Sequence, residues 1–139
     1  VDLSNIHRQS LYDIGDLDKS KVKSAQKKLN KINSKTKVKS YRIRLNNNNS
    51  SKLIKKYDYI VDGSDNFQTK FLINDFCKKS KKFLVTGAIS KFDGHIFTFD
   101  FKNKKTPCIR SISDKNFGRI IKFVKLAILV LRVFGYALY

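Results

Sequence analysis

The chain has 139 residues, enough for one domain with a core of its own. Its formal net charge of +19 comes from 24 Lys against 6 Arg, beside a pure Asn run from Asn46 to Asn49 and no Met or Trp. This bias resembles translated AT-rich DNA, and Lys is scattered while aromatics sit in apolar strands, so a basic nucleic-acid-binding protein is the less favoured alternative despite the charge.

Val1 to Gln9 reads VDLSNIHRQ. Val1 and Leu3 suit the end of a strand, Ser4 and Asn5 supply short polar groups, and Arg8 brings a planar fork of donors that fits phosphate oxygens. A solvated Arg8 beside a solvated His7 is the plainer alternative. Asp13, Gly15, Asp16 and Asp18 mark a loop. From Ser20 to Asn33, Val22, Ala25, Leu29 and Ile32 recur at helical spacing, with Asp18 or Ser20 as cap. Lys21 then lies in the first turn, where a cation opposes the helix dipole, an arrangement that suits a bound anion. Lys is common enough in this chain that chance placement explains it equally well.

Lys37 to Leu45 alternates Tyr41, Ile43 and Leu45 with Arg42 and Arg44, which predicts a strand. Asn46 to Ser51 reads as a solvated low-complexity loop, and Ser51 to Lys56 as a short helical turn. Tyr59, Ile60 and Val61 read as a buried strand that Asp62 to Asn66 breaks. Ligands of open α/β sheets gather beyond the carboxyl ends of strands, so Asp65 is a candidate ligand for Mg²⁺. The alternative is that Ser64 or Asp65 only caps the helix expected after Asn66. Cys77 falls in the apolar pattern of that helix. Phe83 to Ile89 predicts a further strand, Asp93-Gly94 a hairpin turn, and His95 to Asp100 the returning strand. The order predicts an α/β sheet, parallel first and continued by an antiparallel hairpin.

Lys122, Lys125 and Arg132 interrupt the apolar tail from Ile120 to Tyr139, which therefore predicts a buried or interfacial helix and no membrane span. With only Cys77 and Cys108, no disulfide framework is expected, and a reducing intracellular compartment, cytoplasm or plastid stroma, fits.

Three pieces in order, SNIHRQ at Ser4 to Gln9, SKVKSAQKKLNKIN at Ser20 to Asn33 and VDGSDN at Val61 to Asn66, resemble the ubiquitin-activating enzymes and their bacterial relatives of the ThiF/MoeB type. VTGAISKFDGHIFTF, Val85 to Phe99, is similar to the strand pair that follows in that family. The resemblance implies a Rossmann-like, mostly parallel sheet with helices on both faces. It also implies ATP-dependent adenylation of the C-terminal carboxylate of a ubiquitin-like or sulfur-carrier protein, by a homodimer or heterodimer. By the same resemblance Asn5 and Arg8 contact the triphosphate and Lys21 touches the phosphates. Asp65 holds Mg²⁺, and Asn66 neighbours it in the nucleotide-binding loop. Arg8, Lys21 and Asp65 are thereby the expected catalytic residues.

Departures accompany the match. The family's glycine-rich nucleotide loop and its ribose-binding acid are missing from this sequence, which reads as a fragment: residues 1–113 a partial adenylation domain, 114–139 a divergent apolar helical tail. Ser111 stands where relatives place the second sulfur of a zinc-binding CxxC pair begun by Cys108, so zinc is not expected. Cys108 is then expected to be buried and inert. No thioester-forming cysteine is identified. The competing expectation is a non-catalytic partner subunit or degenerate fragment of the same family, against which the retention of Asn5, Arg8, Lys21 and Asp65 weighs.

Overall fold

The structure, a computed structural model, describes residues 1–90 and 93–113. The apolar tail at 114–139 lies outside the described residues. The described part forms two compact bodies, one from Val1 to Arg44 and one from Leu45 onward.

The first body holds two helices, α1 (Leu3–Ile6) and α2 (Lys21–Ile32), and a 3-10 turn at Ile14–Asp16. The expected strand at Val1 and Leu3 is corrected to a helix start, because the Asp2 carboxylate accepts the Ser4 N–H at 2.8 Å and nucleates the turn. The Asp18 N–H donates to the Val1 carbonyl at 3.1 Å, which brings the start of α1 beside the approach to α2. Tyr12, 4% exposed, reaches the Lys21 carbonyl with its hydroxyl at 3.3 Å. Along α2, Val22 and Ala25 are buried, whereas Ile32 is 77% exposed, so the apolar stripe ends a turn before the helix does.

The strand expected at Lys37 to Leu45 does not form, and the segment has no regular structure. A ladder needs its carbonyls, and the Val38 carbonyl is taken by the Gln26 amide at 2.6 Å, with Ser40 Oγ donating to the same glutamine at 2.8 Å. The segment is thus fastened to a helix side chain, and the sheet does not include it.

The second body is a three-stranded sheet with helices α3 (Asn47–Ile54), α4 (Phe67–Lys79) and α5 (Ile109–Ser113). Strand β1 (Tyr59–Asp62) pairs in parallel with β2 (Phe83–Ser90), the two joined through α4, and β2 pairs antiparallel with β3 (Asp93–Asp100). This is the α/β arrangement the sequence predicts, a parallel pair continued by a hairpin. The expected turn position is corrected, however: Asp93 opposes Ser90 and Gly94 opposes Ile89 as ladder partners, so Asp93-Gly94 begins β3, and residues 91–92 lie outside the described residues.

The Asn run is corrected from solvated loop to helix. Asn46 accepts the N–H groups of Asn48 and Asn49, while Asn49 accepts the Asn46 N–H in return, so the repeated amide builds its own capping box. Ser50 on the next turn is fully buried and donates to the Asn46 carbonyl at 2.7 Å.

The core of this body gathers Ile54, Ile73, Cys77, Leu84, Phe99, Phe101, Cys108 and Ile109. Phe97 and Phe99 on β3 and Phe101 just past its end, two residues apart, stack with ring centroids 6.3 and 5.6 Å apart. Strand β1 is corrected from buried to edge. Tyr59 is 73% exposed, and only Asp62, at its carboxyl end, is fully enclosed.

Candidate nucleotide and metal site

The carboxyl end of β1 carries a buried carboxylate with several partners. Asp62 is 0% exposed and opposes Thr86 in register on β2. Its carboxylate accepts the Thr86 hydroxyl at 2.6 Å, the Ser64 N–H at 2.9 Å and the Lys70 ammonium at 3.2 Å. Lys70, 5% exposed, also donates to the Gly87 carbonyl. A buried charge persists where such partners replace its hydration. The sequence reading missed both residues. The signal was present: Ile73 and Cys77 define the buried stripe of α4, and the same stripe passes through Lys70 and Asn74. Asn74 is satisfied as well, accepting the Ile109 N–H at 3.2 Å.

Past Asp62 the chain turns outward. Asp65 is exposed at the loop's tip, and Asn66 is the cap of α4, accepting the Thr69 N–H at 2.8 Å. Capping by Ser64 or Asp65 is therefore corrected to Asn66, whose amide oxygen lies at the distance the third amide of the helix requires. The Asn66 amide also lies 3.4 Å from Asp65, so these two predicted site residues are adjacent. Asp65 is an oxygen donor of the kind Mg²⁺ takes, and Mg²⁺ is commonly held by one or two carboxylates together with substrate phosphates and water. Among the described residues no three His, Cys, Asp or Glu side chains form a group that holds a metal unaided. The single exposed Asp65 carboxylate is compatible with a cation shared with a phosphate ligand.

In the first body, Asn5 on α1 and Arg8 just past its C-cap His7 are brought together. The guanidinium donates to the Asn5 side-chain oxygen at 2.5 Å and to the Ser4 carbonyl at 2.7 Å, which fixes its plane while Arg8 remains exposed. Lys21 is the first residue of α2 and half-buried, and Ser20 before it makes no side-chain capping bond. Asp2 lies within the field of this ammonium. Its carboxyl is held below the usual range by the Ser4 side chain and amide first, with Lys21 adding to them.

The two cysteines are free. Burial and the nearby Asp62 charge push the Cys77 thiol up to about 12, as expected of a core residue. For Cys108, burial pushes upward but is outweighed by the Ser111 N–H and hydroxyl and by Lys78, 3.8 Å from the sulfur, so the thiol sits below its ordinary value. The expected burial of Cys108 is borne out at 7% exposed.

Known proteins give the arrangement a context. The chain is 42% identical over 102 residues to a probable molybdopterin-synthase adenylyltransferase of Pyropia yezoensis, covering 73% of this chain and 27% of that protein. It is 39% identical over 118 residues to the sulfur carrier protein adenylyltransferase of Thermus thermophilus, covering 83% and 44%. It is 34% identical over 112 residues to the adenylyltransferase and sulfurtransferase MOCS3 of Culex quinquefasciatus, covering 81% and 25%. The chain therefore spans between a quarter and less than half of these relatives. Residues 1–128 match the ThiF family, and with the α/β fold described above they establish that the chain belongs to the ThiF family.

Proposed function

We propose that the protein containing this chain adenylates the C-terminal carboxylate of a ubiquitin-like or sulfur-carrier protein with ATP, in an intracellular compartment such as the cytoplasm or plastid stroma. The observation that carries the reading is the exposed Asp65 carboxylate in the loop that follows the carboxyl end of β1, one residue before the cap of α4. A helix start beside a strand end suits anionic ligands in α/β proteins, and relatives named as adenylyltransferases support the reaction class.

In the proposed reaction, a carboxylate oxygen of the carrier attacks the α-phosphorus of ATP. The bond from that phosphorus to the bridging oxygen breaks, and pyrophosphate leaves with the electron pair. Negative charge grows on the departing oxygens, and the residues that matter are those that hold charge there. Arg8, its plane fixed by Asn5 and the Ser4 carbonyl, offers paired donors to phosphate oxygens. Lys21 adds a second cation from the first turn of α2, and Asn66 stiffens the loop that carries Asp65. Asp65 would hold Mg²⁺, which when bound offsets charge on the phosphates. No proton has to move for the displacement, so the absence of a histidine from this set of residues is no obstacle. The reading includes a dimeric protein.

Exchange of labelled pyrophosphate into ATP tests the reaction. The full-length protein is expected to catalyse exchange with a carrier bearing a free C-terminal carboxylate and none with the same carrier amidated at that position. Equal exchange with the amidated carrier, or with none, would contradict the proposal.

A further inference from the structure

The buried pair under the Asp65 loop has a second consequence, which rests on the metal role proposed for Asp65. Two carboxylates lie three residues apart on one turn, Asp62 fully enclosed and Asp65 exposed. Asp65 is the carboxylate that a cation reaches from solvent, whereas Asp62 is enclosed and engaged by the Lys70 ammonium, the Thr86 hydroxyl and the Ser64 N–H. The Ser64 bond is made from within the loop itself, so the position of the Asp62 carboxylate sets where the chain leaves β1. Lys70 comes from the first turns of α4 and Thr86 from β2, and the same three bonds therefore join strand, loop and helix at one point.

We propose that Asp62, Lys70 and Thr86 are positioning residues for the metal: they satisfy the inner carboxylate and hold the loop so that the outer one, Asp65, takes the divalent cation. Lys70 supplies the counter-charge that keeps Asp62 from recruiting the cation or from drawing the loop inward. Asp62 without Lys70 is a buried anion lacking an ionic partner, which favours either unfolding or rearrangement of residues 63–66. Asp62 without the Thr86 hydroxyl keeps its ion pair and loses one neutral hydrogen bond, so the sheet survives while the carboxylate loosens.

The test is binding of Mn²⁺, read by its electron paramagnetic resonance signal in the presence of a non-hydrolysable ATP analogue, with the full-length protein well below its unfolding temperature. Thr86→Val is expected to weaken Mn²⁺ binding about fivefold, the factor that one net hydrogen bond corresponds to. Lys70→Met is expected to weaken it more, and Lys70→Arg to retain wild-type affinity because the positive charge is kept. Should Lys70→Met fail to fold, Thr86→Val and Lys70→Arg carry the comparison alone. Wild-type Mn²⁺ affinity in Thr86→Val would overturn the proposal, as would a Lys70→Arg protein that binds no better than Thr86→Val. Asp65→Ala is measured in parallel. If it loses Mn²⁺ while Thr86→Val and any folded Lys70→Met do not, the positioning role alone is overturned. If it keeps Mn²⁺, the metal role of Asp65 fails, and the positioning role with it.

Discussion

Cys77 and Cys108 differ in what surrounds their sulfur atoms, and the difference is measurable. Cys77 is 0% exposed with its thiol pushed up to about 12, whereas Cys108 is held below its ordinary value beside Lys78 and Ser111. Only the thiolate alkylates, so native protein treated with iodoacetamide at about pH 8 should label Cys108 before Cys77. Peptide mass spectrometry over a time course reads this, and equal rates or the reverse order would contradict it. At this scale the sequence was informative where residue type alone marks a role. Asn66 stands where turn chemistry places a helix cap, and it caps α4; the roles of Asn5, Arg8, Lys21 and Asp65 come from the family resemblance and are proposals. The sequence was silent about Lys70, because one inward-facing lysine among 24 carries no compositional mark. Only the helical stripe through Ile73 and Cys77, followed backward one turn, leads to it.

The elements were legible in proportion to how locally they are encoded. Helix α4 and strand β2 appear where period places them, and β3 appears too but begins at Asp93, on the residues whose turn chemistry predicted the hairpin turn. The strand at Lys37 to Leu45 did not, since alternation states which residues share a face but not whether a neighbouring strand is available. The Asn run was misread for the opposite reason: a segment that looks solvated by composition satisfies its own helix start through paired amides. The end of α4 shows the cost of a Lys-rich composition. Lys81 has φ 52 at the position after the C-cap, and the Lys82 N–H reaches back to the Cys77 carbonyl and the Lys81 N–H to Lys78, a Schellman motif. Glycine takes this conformation without steric cost, so Lys81→Gly should stabilise the fold by about 1 kcal/mol, measured by urea unfolding. A loss of stability would contradict the assignment.

A second element-level prediction concerns acid. Lys28 on α2 bridges Asp13 and Asp16 at 2.5 Å, tying the helix to the 3-10 turn. Its ammonium is the main reason that the Asp16 carboxyl is lowered from 3.8 to about 2. A carboxyl whose folded value lies below its unfolded one adds stability above the unfolded value and loses it as pH falls toward the folded one. The pair should therefore stabilise the first body above about pH 4 and cease to do so between about pH 4 and 2. Urea unfolding at both pH values should show a smaller acid loss in Lys28→Ala than in wild type. The same loss in both would remove the pair from the account.

For the molecule as a whole, the charge of +19 is spread over both bodies and does not itself define a ligand. The family was readable from three short motifs taken in order, although each alone is a common pattern of turn and helix residues. What the motifs did not reveal is the inner layer of Asp62, Lys70 and Thr86, which depends on strands and a helix meeting across 24 residues of sequence between Asp62 and Thr86. The central claim is that Asp65 works as the metal carboxylate of an adenylating site, and carrier-dependent pyrophosphate exchange by the full-length Asp65→Ala protein tests it most directly. The account predicts that exchange falls about a hundredfold or more while the protein stays folded, in line with the loss of one charge-stabilising group; exchange at the wild-type rate would contradict it.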